Sequence, residues 1–429
     1  MRIFILTLGS RGDVQPYVAL GKGLQAAGHD VTVCTSASFE PFIVEHGLAY
    51  GYMSDDILRL IDTDAGRDAM ENSDGVVGWI KTAVSLAQQV KPLQRQMLND
   101  SWYAAQAAQP DLIIYHPKAF GGSHIAEKLG IPAMLAIPLP VFVPTGEFPN
   151  IVFPNWKLGS GYNRLTYTLA LKGARAQYGK LVQAFRQETL GLPPQPRTAD
   201  DLHFTNGDPI PVLHGYSRHV APHPTDWPRH AHTTGYWFLG HATDWQPSPD
   251  LQAFLAAGEP PVYVGFGSMV GRNPTKVTQL VVAALQKAGV RGLIATGWGG
   301  LKANDLPETI FKLEQAPHDW LFERVTAVVH HGGAGTTAAG LRAGKPTVIC
   351  PFFGDQPFWG QRVALLGAGP VPIPQKKLTV ENLAVAVQTA VNNATMRQQA
   401  TALGHQIRQE DGIANAIAII ERSVPIRLS

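Results

Sequence analysis

The amino-acid sequence predicts an α/β fold with two Rossmann-like domains, each built around a parallel β-sheet. Apolar strand-like runs alternate with helical segments in both halves of the chain, a pattern typical of parallel sheets covered by helices on both faces. The chain has 429 residues, more than a single hydrophobic core usually organises. Around 207–249, Pro, His, Trp and Asp are dense and periodicity is lost, which indicates a linker with surface loops.

The N-terminal half begins with a buried strand, RIFILTL, followed by the glycine loop GSRGDVQP. The segment YVALGKGLQAAG has helical spacing and ends at Gly28. The runs HDVTVCTS, PDLIIYHP and PAMLAIP predict further strands, with a short helix in KAFGGSHIAEKLG. Longer helices are predicted over about 70–105 and 160–190, on either side of a proline-punctuated aromatic segment.

The C-terminal half shows the same alternation of strands and helices, but its sequence does not repeat that of the N-terminal half. PPVYVGFGSM, RGLIATG, TAVVHH and PTVICPFF predict strands, and Lys276–Ala288 and Thr337–Ala343 predict helices between them. The tail, roughly 393–422, predicts one or two helices. We therefore place the N-terminal domain at 1–215, a linker at 216–245 and the second domain at 246–405.

Composition and charge exclude several classes of function. The formal net charge is +2 with no Lys/Arg run, so nucleic acid is not expected as a partner. Cys34 and Cys350 lie in or beside apolar runs and are expected to be buried free thiols in a reducing compartment; no zinc-ligand spacing occurs. With no predicted leader or membrane span, we expect a cytoplasmic protein; peripheral membrane contact stays open.

Glycine loops mark the candidate ligand site. Three of them, Gly9–Pro16, Gly265–Gly271 and His330–Thr337, follow predicted strands, and ligands of open parallel sheets bind beyond the carboxyl ends of strands. Glycines let backbone amides approach an anion, and a helix N-terminus adds unpaired N–H groups. These loops predict a phosphate site. Asp355 and Gln356, one helix later, suit a polyhydroxylated group, since both side chains pair with hydroxyls.

Three other interpretations of the loops were weighed. A dinucleotide site is disfavoured, because GSRGDV is not G-x-G-x-x-G and no acid promptly follows the second strand. A P-loop is excluded because no G-x-x-x-x-G-K-[ST] occurs. The plain alternative is that HHGGAGTT is a tight strand-to-helix turn without a ligand.

The motifs GSRGDVQPY, GFGSM, TGWGGL and HHGGAGTTAAGLRAGKPTVICPFFGDQPFWGQRV resemble the family-1 nucleotide-sugar glycosyltransferases. Within that family they are most similar to the sterol 3β-glucosyltransferase branch and to antibiotic and natural-product glycosyltransferases of bacteria. The resemblance is strongest in the C-terminal half and weak over about 45–240. It implies a GT-B fold, two Rossmann-like domains facing across a cleft. The donor binds mainly to the C-terminal domain, and a final helix at 406–429 packs back on the N-terminal, acceptor-binding domain.

The resemblance also implies roles for individual residues. His331 would donate to the donor phosphates, Trp298 would stack on or wall the base, the backbone at Gln315 and Ala316 would pair with the base edge, and Asp355 and Gln356 would hold the sugar. Trp298 could equally be a packing residue. His330 is left out of the phosphate set because it ends the strand. The full donor set is Ser10, Gly12, Ser268, Trp298, Gln315, Ala316, His331, Gly333, Gly335, Thr336, Thr337, Asp355 and Gln356.

Asp13 is the predicted catalytic base. Many plant members have a histidine at this position with a distant aspartate beside it, whereas this chain has Asp13, with Tyr115 and His116 in the partner segment; the pair is therefore not expected to carry over. The alternative for Asp13 is a helix cap. We expect burial beside an apolar acceptor to raise its pKa. A family glutamate that binds the ribose is replaced by Ala339, which leaves the choice between UDP and dTDP carriers open.

The implied reaction is inverting transfer of a sugar, with glucose from UDP-glucose favoured, to a hydroxyl of a sterol, terpenoid or polyketide acceptor. No metal or resident cofactor is expected. An apolar acceptor pocket is predicted from N-terminal aromatics, although some of them must be ordinary core. A non-hydrolysing sugar-nucleotide epimerase and a non-catalytic nucleotide-sugar binder are the alternatives. The candidate acceptor residues are Trp79, His116, Phe142, Phe148 and Phe153.

Overall fold

The computed structural model describes six segments of the chain and divides it into two compact units. The N-terminal unit comprises Met1–Tyr216, His223–Leu239 and Asp411–Ser429, and the C-terminal unit comprises Ser217–Pro222 and Gly240–Glu410. Within helix 76–108, side chains are described from residue 90 onward. The described residues are 1–61, 76–196, 202–241, 245–266, 274–295 and 306–424.

The described N-terminal unit is built on a seven-stranded parallel sheet of order β3-β2-β1-β4-β5-β6-β7. The central strands are apolar and buried on both faces because helices cover both sides of the sheet, as continuous apolar runs predict. The strands are β1 Arg2–Leu6, β2 Asp30–Ser36, β3 Ala49–Met53, β4 Leu112–Tyr115, β5 Ala133–Ile137, β6 Val212–His214 and β7 Ala231–Thr233.

The linker expected at 216–245 differs from the structure. Residues 223–239 belong to the N-terminal unit, and β7 lies within them as an edge strand paired with β6. A strand of three residues is too short to show an alternating pattern. The sequence of this proline-dense stretch therefore does not predict the strand. The helices of this part of the chain are α1 Arg11–Ala26, α2 Glu40–Glu45, α3 Asp56–Ile61, α4 Val76–Ala108, α5 Gly122–Leu129 and α6 Ser160–Ala184.

The described C-terminal unit contains a five-stranded parallel sheet of order β10-β9-β8-β11-β12. Its strands are β8 Val262–Gly265, β9 Gly292–Ala295, β10 Ile310–Leu313, β11 Ala327–His330 and β12 Thr347–Ile349. Its helices are α7 Pro249–Ala256, α8 Pro274–Ala288, α9 His318–Leu321, α10 Ala334–Arg342, α11 Gln356–Leu365, α12 Val380–Asn392 and α13 Ala394–Gln409.

The last helix, α14 Gly412–Ser423, packs in the N-terminal unit. Ala416 and Ile420 are fully buried in the core cluster that also holds α1. A Cβ at Gly23 of α1 would lie 2.2 Å from the Cγ2 of Ile413, so a glycine is needed for this close approach of the two helices. The tail is therefore a structural part of the first unit.

Two further findings concern the described residues as a set. No helix among them is both long and apolar enough to cross a bilayer. No group of three or more His, Cys, Asp or Glu side chains among them is arranged to hold a metal ion.

Candidate active site

The first candidate loop lies where the N-terminal sheet changes its direction of strand addition. Strand β1 is flanked by β2 on one side and by β4 on the other, and such a switch point is where open α/β sheets bind ligands. Leu6 at the end of β1 is in register with Tyr115 at the end of β4. The loops that carry Asp13 and His116 therefore leave the same sheet edge side by side, although the two residues are far apart in sequence.

Asp13 lies in the first turn of α1 and is held from two sides. The Ser10 backbone N–H and hydroxyl donate to its Oδ2, at 2.8 and 3.1 Å. The Lys118 ammonium donates to its Oδ1 at 2.7 Å. Each carboxylate oxygen offers two lone-pair positions. Oδ2 accepts two hydrogen bonds from Ser10, whereas Oδ1 accepts one from Lys118.

Gly9 makes this arrangement possible. Its φ is +138°, a conformation that favours glycine. A Cβ at this position would lie 2.2 Å from Oδ2 of Asp13. The Gly-Ser pair of the first loop therefore allows the carboxylate to fold back over the turn and be fixed there.

The electrostatic environment of Asp13 corrects the sequence expectation. Burial acts to raise the pKa of this carboxyl, but the charge and hydrogen bond of Lys118, together with the Ser10 amide, hold the pKa of Asp13 below its usual value. In the free protein Asp13 is thus an ionised, weak base. Asp13 also takes part in capping α1, because it accepts a hydrogen bond from the backbone amide of Ser10, the N-cap residue.

His116 completes a three-residue cluster with Asp13 and Lys118. The Lys118 backbone N–H donates to His116 Nδ1 at 3.0 Å, which assigns the proton of the neutral ring to Nε2. That nitrogen lies 3.8 Å from Asp13 Oδ1, beyond the reach of a direct hydrogen bond. Burial lowers the pKa of His116 to about 4, so the ring is neutral near pH 7.

This cluster was only partly predicted. The sequence predicts that the histidine–aspartate pair of the plant members is absent. The structure brings an aspartate and a histidine together, but in the opposite order: the acid, Asp13, follows β1, and the histidine, His116, follows β4. Lys118 was not predicted at all. The signal that could have found it was the pairing of β1 with β4, because residues just after neighbouring parallel strands share a sheet edge.

Ser10 and Gly12 differ in what they leave for a ligand. Ser10 was predicted to reach the donor, but both its hydroxyl and its amide are engaged by Asp13, so it acts on the carboxylate. Gly12 is exposed, and a Cβ there would meet nothing closer than the Ser10 hydroxyl at 3.7 Å.

The second candidate loop lies at the switch point of the C-terminal sheet, between β8 and β11. His330 ends β11, in register with Gly265 of β8 and Ile349 of β12. The carboxyl ends of these three strands therefore lie at one edge of the sheet; the rest of the predicted Gly265–Gly271 loop lies outside the described residues. Helix α10 begins at Ala334, three residues before the predicted start, because the low helix propensity of its glycines hides the first turn in the sequence.

Two glycines of this loop have separate physical reasons. Gly332 has a φ of +96°, and a Cβ there would lie 2.7 Å from Cγ2 of Ile349. A Cβ at Gly333 would lie 2.7 Å from Nε2 of His331. The second glycine therefore makes room for the His331 imidazole over the start of α10. No side chain caps this helix, so its first amides face outward with the positive end of the helix dipole.

The two histidines have different environments. His330 is fully buried, and its Nδ1 accepts from the Gly332 N–H at 2.9 Å, so it shapes the turn. Burial lowers the pKa of His331 to about 4, so it is a neutral hydrogen-bond donor near pH 7. Its Nδ1 is buried with no hydrogen-bond partner in the described structure. A neutral imidazole beside free amides suits a phosphate oxygen.

Thr337 and Gln356 make hydrogen bonds within the fold, and their predicted contacts with the donor stay predictions. The Thr337 hydroxyl is buried and donates to Gly333 O at 2.9 Å. Gln356 Oε1 accepts from the Phe352 N–H at 2.7 Å, which fixes the loop after β12. Thr336 is half-buried in the first turn of α10, and Gly335 is exposed.

The remaining predicted residues fall into four groups. Asp355 is half-buried, and its Oδ2 accepts from the Trp359 indole at 2.8 Å. Gln315 is exposed after β10, and Ala316 packs against the adjacent apolar cluster. Ser268 and Trp298 lie outside the described residues, as does the side chain of Trp79. Three predicted acceptor residues are half-buried in the segment after β5: Phe142, Phe148 and Phe153.

Two Rossmann-like units, each with a candidate ligand loop at its switch point, define the GT-B class of protein. Two family models match the chain: the glycosyltransferase family 28 N-terminal domain over residues 3–145, and the erythromycin biosynthesis protein CIII-like C-terminal domain over residues 296–415. A sterol 3-beta-glucosyltransferase of Aspergillus terreus is 40% identical over 99% of the chain. The chain spans 30% of that relative's length.

Solved structures agree on the fold. The kitacinnamycin glycotransferase superposes with a TM-score of 0.71 at 21% identity, covering 99% of both chains. A spinosyn rhamnosyltransferase complexed with thymidine diphosphate has a TM-score of 0.63 at 20% identity, covering 98% of this chain and 100% of its own. The chain belongs to the family-1 nucleotide-sugar glycosyltransferases of GT-B fold, as its motifs predict.

Proposed function

We propose that the protein transfers a sugar, with glucose from UDP-glucose as the favoured donor, to a hydroxyl of an apolar acceptor such as a sterol. The observation that carries the proposal is the Asp13 carboxylate, fixed at a sheet switch point by Ser10 and Lys118. The similarity of the chain, over 99% of its own length and 30% of the relative's, to a sterol 3-beta-glucosyltransferase supports the sugar and the acceptor class.

In the proposed mechanism Asp13 is the general base. An ordinary carboxylate cannot deprotonate an alcohol in advance, but it accepts the proton as the new C–O bond forms and the oxygen becomes acidic. The acceptor oxygen attacks the anomeric carbon from the side opposite the diphosphate, so the reaction inverts the configuration. The proton passes to Oδ1, and His116 Nε2, 3.8 Å from this oxygen, is close enough to donate to the acceptor oxygen and orient the hydroxyl.

The leaving group is the nucleoside diphosphate, which gains negative charge as the glycosidic bond breaks. The first amides of α10 and the neutral His331 ring offer hydrogen bonds to that charge. Asp355 is the best-placed side chain for the sugar hydroxyls, because it precedes α11 on the same sheet edge. We expect no metal to be required for the reaction.

Incubation of the purified protein with UDP-glucose and cholesterol, followed by mass spectrometry, tests the proposal. We expect steryl glucoside with the wild type and none with Asp13→Asn, while UDP binding measured by calorimetry is unchanged. The matched control is Asp30→Asn, an exposed acid at the beginning of β2, which should retain activity.

Other outcomes would contradict the proposal. Conversion of UDP-glucose to an isomer without acceptor would indicate an epimerase. UDP-glucose binding without turnover across a panel of hydroxylated lipids would indicate a binding protein. Replacing UDP-glucose by dTDP-glucose in the same assay decides the carrier.

A further inference from the structure

A stretch of the N-terminal unit carries an excess of positive charge. The whole chain has a net charge of +2, yet no acidic residue lies between Glu147 and Glu188. Arg186 is buried against Glu127, and Arg164 pairs with Asp226 at 2.9 Å. The cations of this stretch are Lys157, Arg164, Lys172, Arg175, Lys180 and Arg186.

Large apolar side chains are exposed in the same stretch. Val152, Trp156 and Leu158, in the segment before α6, are 66%, 64% and 64% exposed. Leu165 and Leu169 on α6 are 52% and 48% exposed. Single exposed apolar residues are common on protein surfaces, but a contiguous group marks an interaction site.

Contacts and helical spacing join these residues into one surface. The Trp156 ring stacks on Tyr162 with a centroid distance of 5.7 Å, and the Tyr162 hydroxyl donates to Pro154 O at 2.6 Å. Tyr162, Leu165 and Leu169 follow one another at spacings of three and four residues, which places them on one side of α6. The loop and the helix therefore present their apolar groups together.

Basic residues lie on the same surface. Lys172 and Lys180 continue the spacing from Leu165 and Leu169 at helical intervals. Lys157 lies between Trp156 and Leu158. All three lysines are exposed and have no ion-pair partner among the described residues. We call the group formed by Val152, Trp156, Leu158, Leu165, Leu169, Lys157, Lys172 and Lys180 the apolar–basic surface.

The backbone before α6 fixes this presentation. Lys157 has a φ of +52° and Gly159 has a φ of +85°. A non-glycine residue in this region costs energy, and such conformations concentrate at functional segments. The turn lets consecutive residues, Trp156 to Leu158, all remain exposed.

We propose that the apolar–basic surface docks on a lipid bilayer that contains anionic phospholipids. Tryptophan and leucine enter the boundary between headgroups and acyl chains, while lysines without nearby acids bind the lipid phosphates. A basic surface without exposed leucines would suit a nucleic acid instead. The surface shares no residue with the candidate site, so the proposal goes beyond sugar transfer and is tested without it.

Vesicle flotation tests the proposal directly. We expect the full chain to float with phosphatidylcholine vesicles that contain phosphatidylserine, and much less with phosphatidylcholine alone or at high salt. Trp156→Ser/Leu158→Ser should weaken binding about tenfold or more, because two large apolar side chains leave the interface. The matched control is Val44→Ser/Tyr103→Ser, which removes two residues of similar exposure elsewhere on the unit and should bind like the wild type.

Charge reversal is the second arm. Lys172→Glu/Lys180→Glu should also lose about tenfold or more in vesicle binding. Lys22→Glu/Lys91→Glu makes the same change in net charge at exposed positions outside the surface and should have a much smaller effect. Unchanged far-UV circular dichroism and thermal midpoints confirm that every variant is folded.

A site-specific probe locates the contact. An environment-sensitive fluorophore on Leu158→Cys should shift to shorter wavelength with phosphatidylserine vesicles, and the same label on Tyr103→Cys should not. Equal vesicle binding by the surface variants and their controls would overturn the proposal. So would a dimer in solution that Trp156→Ser abolishes, since the surface would then be occupied by a second copy of the chain.

Discussion

Replacing Lys118 by methionine should raise the pKa of Asp13. The Lys118 Nζ lies 2.7 Å from Asp13 Oδ1. Coulomb's law gives about 6 kcal/mol for this separation at an effective dielectric constant of about 20, and about 1.5 kcal/mol in bulk water. The Lys118 side chain is 54% exposed, so solvent screening brings the interaction toward the lower value. Loss of about 1.5 kcal/mol corresponds to a rise of about one pKa unit.

The assay is the pH dependence of kcat/KM for sugar transfer. Asp13 must be ionised to act as the base, so a higher pKa moves the acid limb of the profile upward, by about one pH unit in Lys118→Met. Lys118→Arg keeps the positive charge and should leave the limb near its wild-type position. UDP binding should be the same in all three proteins, because Lys118 bonds Asp13 in the N-terminal unit, whereas the predicted phosphate loop belongs to the C-terminal unit.

One result would refute this reasoning. If the acid limb of Lys118→Met coincides with that of the wild type, while Asp13→Asn still abolishes turnover, then Lys118 does not control the base. A fall in rate at every pH without a shift of the limb would instead assign Lys118 to acceptor positioning.

Four further predictions concern the site and the stability of the fold. Gly333→Ala displaces the His331 ring and should weaken UDP binding by about 1–3 kcal/mol in calorimetry. Its companion is Gly335→Ala, where a Cβ meets nothing within 4 Å. This variant should stabilise α10 by up to about 1 kcal/mol and also weaken UDP binding. His116→Gln should lower kcat about tenfold, the value of one hydrogen bond, with the Kd for UDP unchanged. Burial lowers the pKa of three histidines, His116, His124 and His331, from 6.5 to about 4, so below pH 6.5 the unfolded state binds more protons than the folded state. The stability that these groups contribute should therefore be complete above about pH 6.5. Urea titration should show the free energy of unfolding falling by about 1.4 kcal/mol per pH unit for each group between pH 6.5 and pH 4. Ile420→Ala should destabilise the N-terminal unit by about 2–5 kcal/mol in the same titration, and a loss below 1 kcal/mol would mean that α14 is not part of its core.

The sequence by itself determined the fold class, the family and the position of both candidate loops. These features are local in the sequence. An apolar run predicts a strand buried on both faces, and a glycine-rich turn after it predicts an anion site, without reference to the rest of the chain. Asp13 could be selected on the same grounds, because the acid and its loop lie within one short motif. The strand of three residues at 231–233 could not, because it is too short to carry a pattern.

Only the tertiary structure decided what surrounds these residues. Asp13, His116 and Lys118 meet because β1 pairs with β4, and strand order depends on the packing of the whole sheet. The hydroxyls of Ser10 and Thr337 are engaged within the fold, although their residue types suit a phosphate equally well. The pKa of Asp13 lies below its usual value where burial alone predicts a rise, because the charge and hydrogen bond of Lys118 and the amide of Ser10 act together against desolvation. Which groups are neighbours is a property of the folded chain, and neighbours set the charge and the hydrogen bonds on which the chemistry depends.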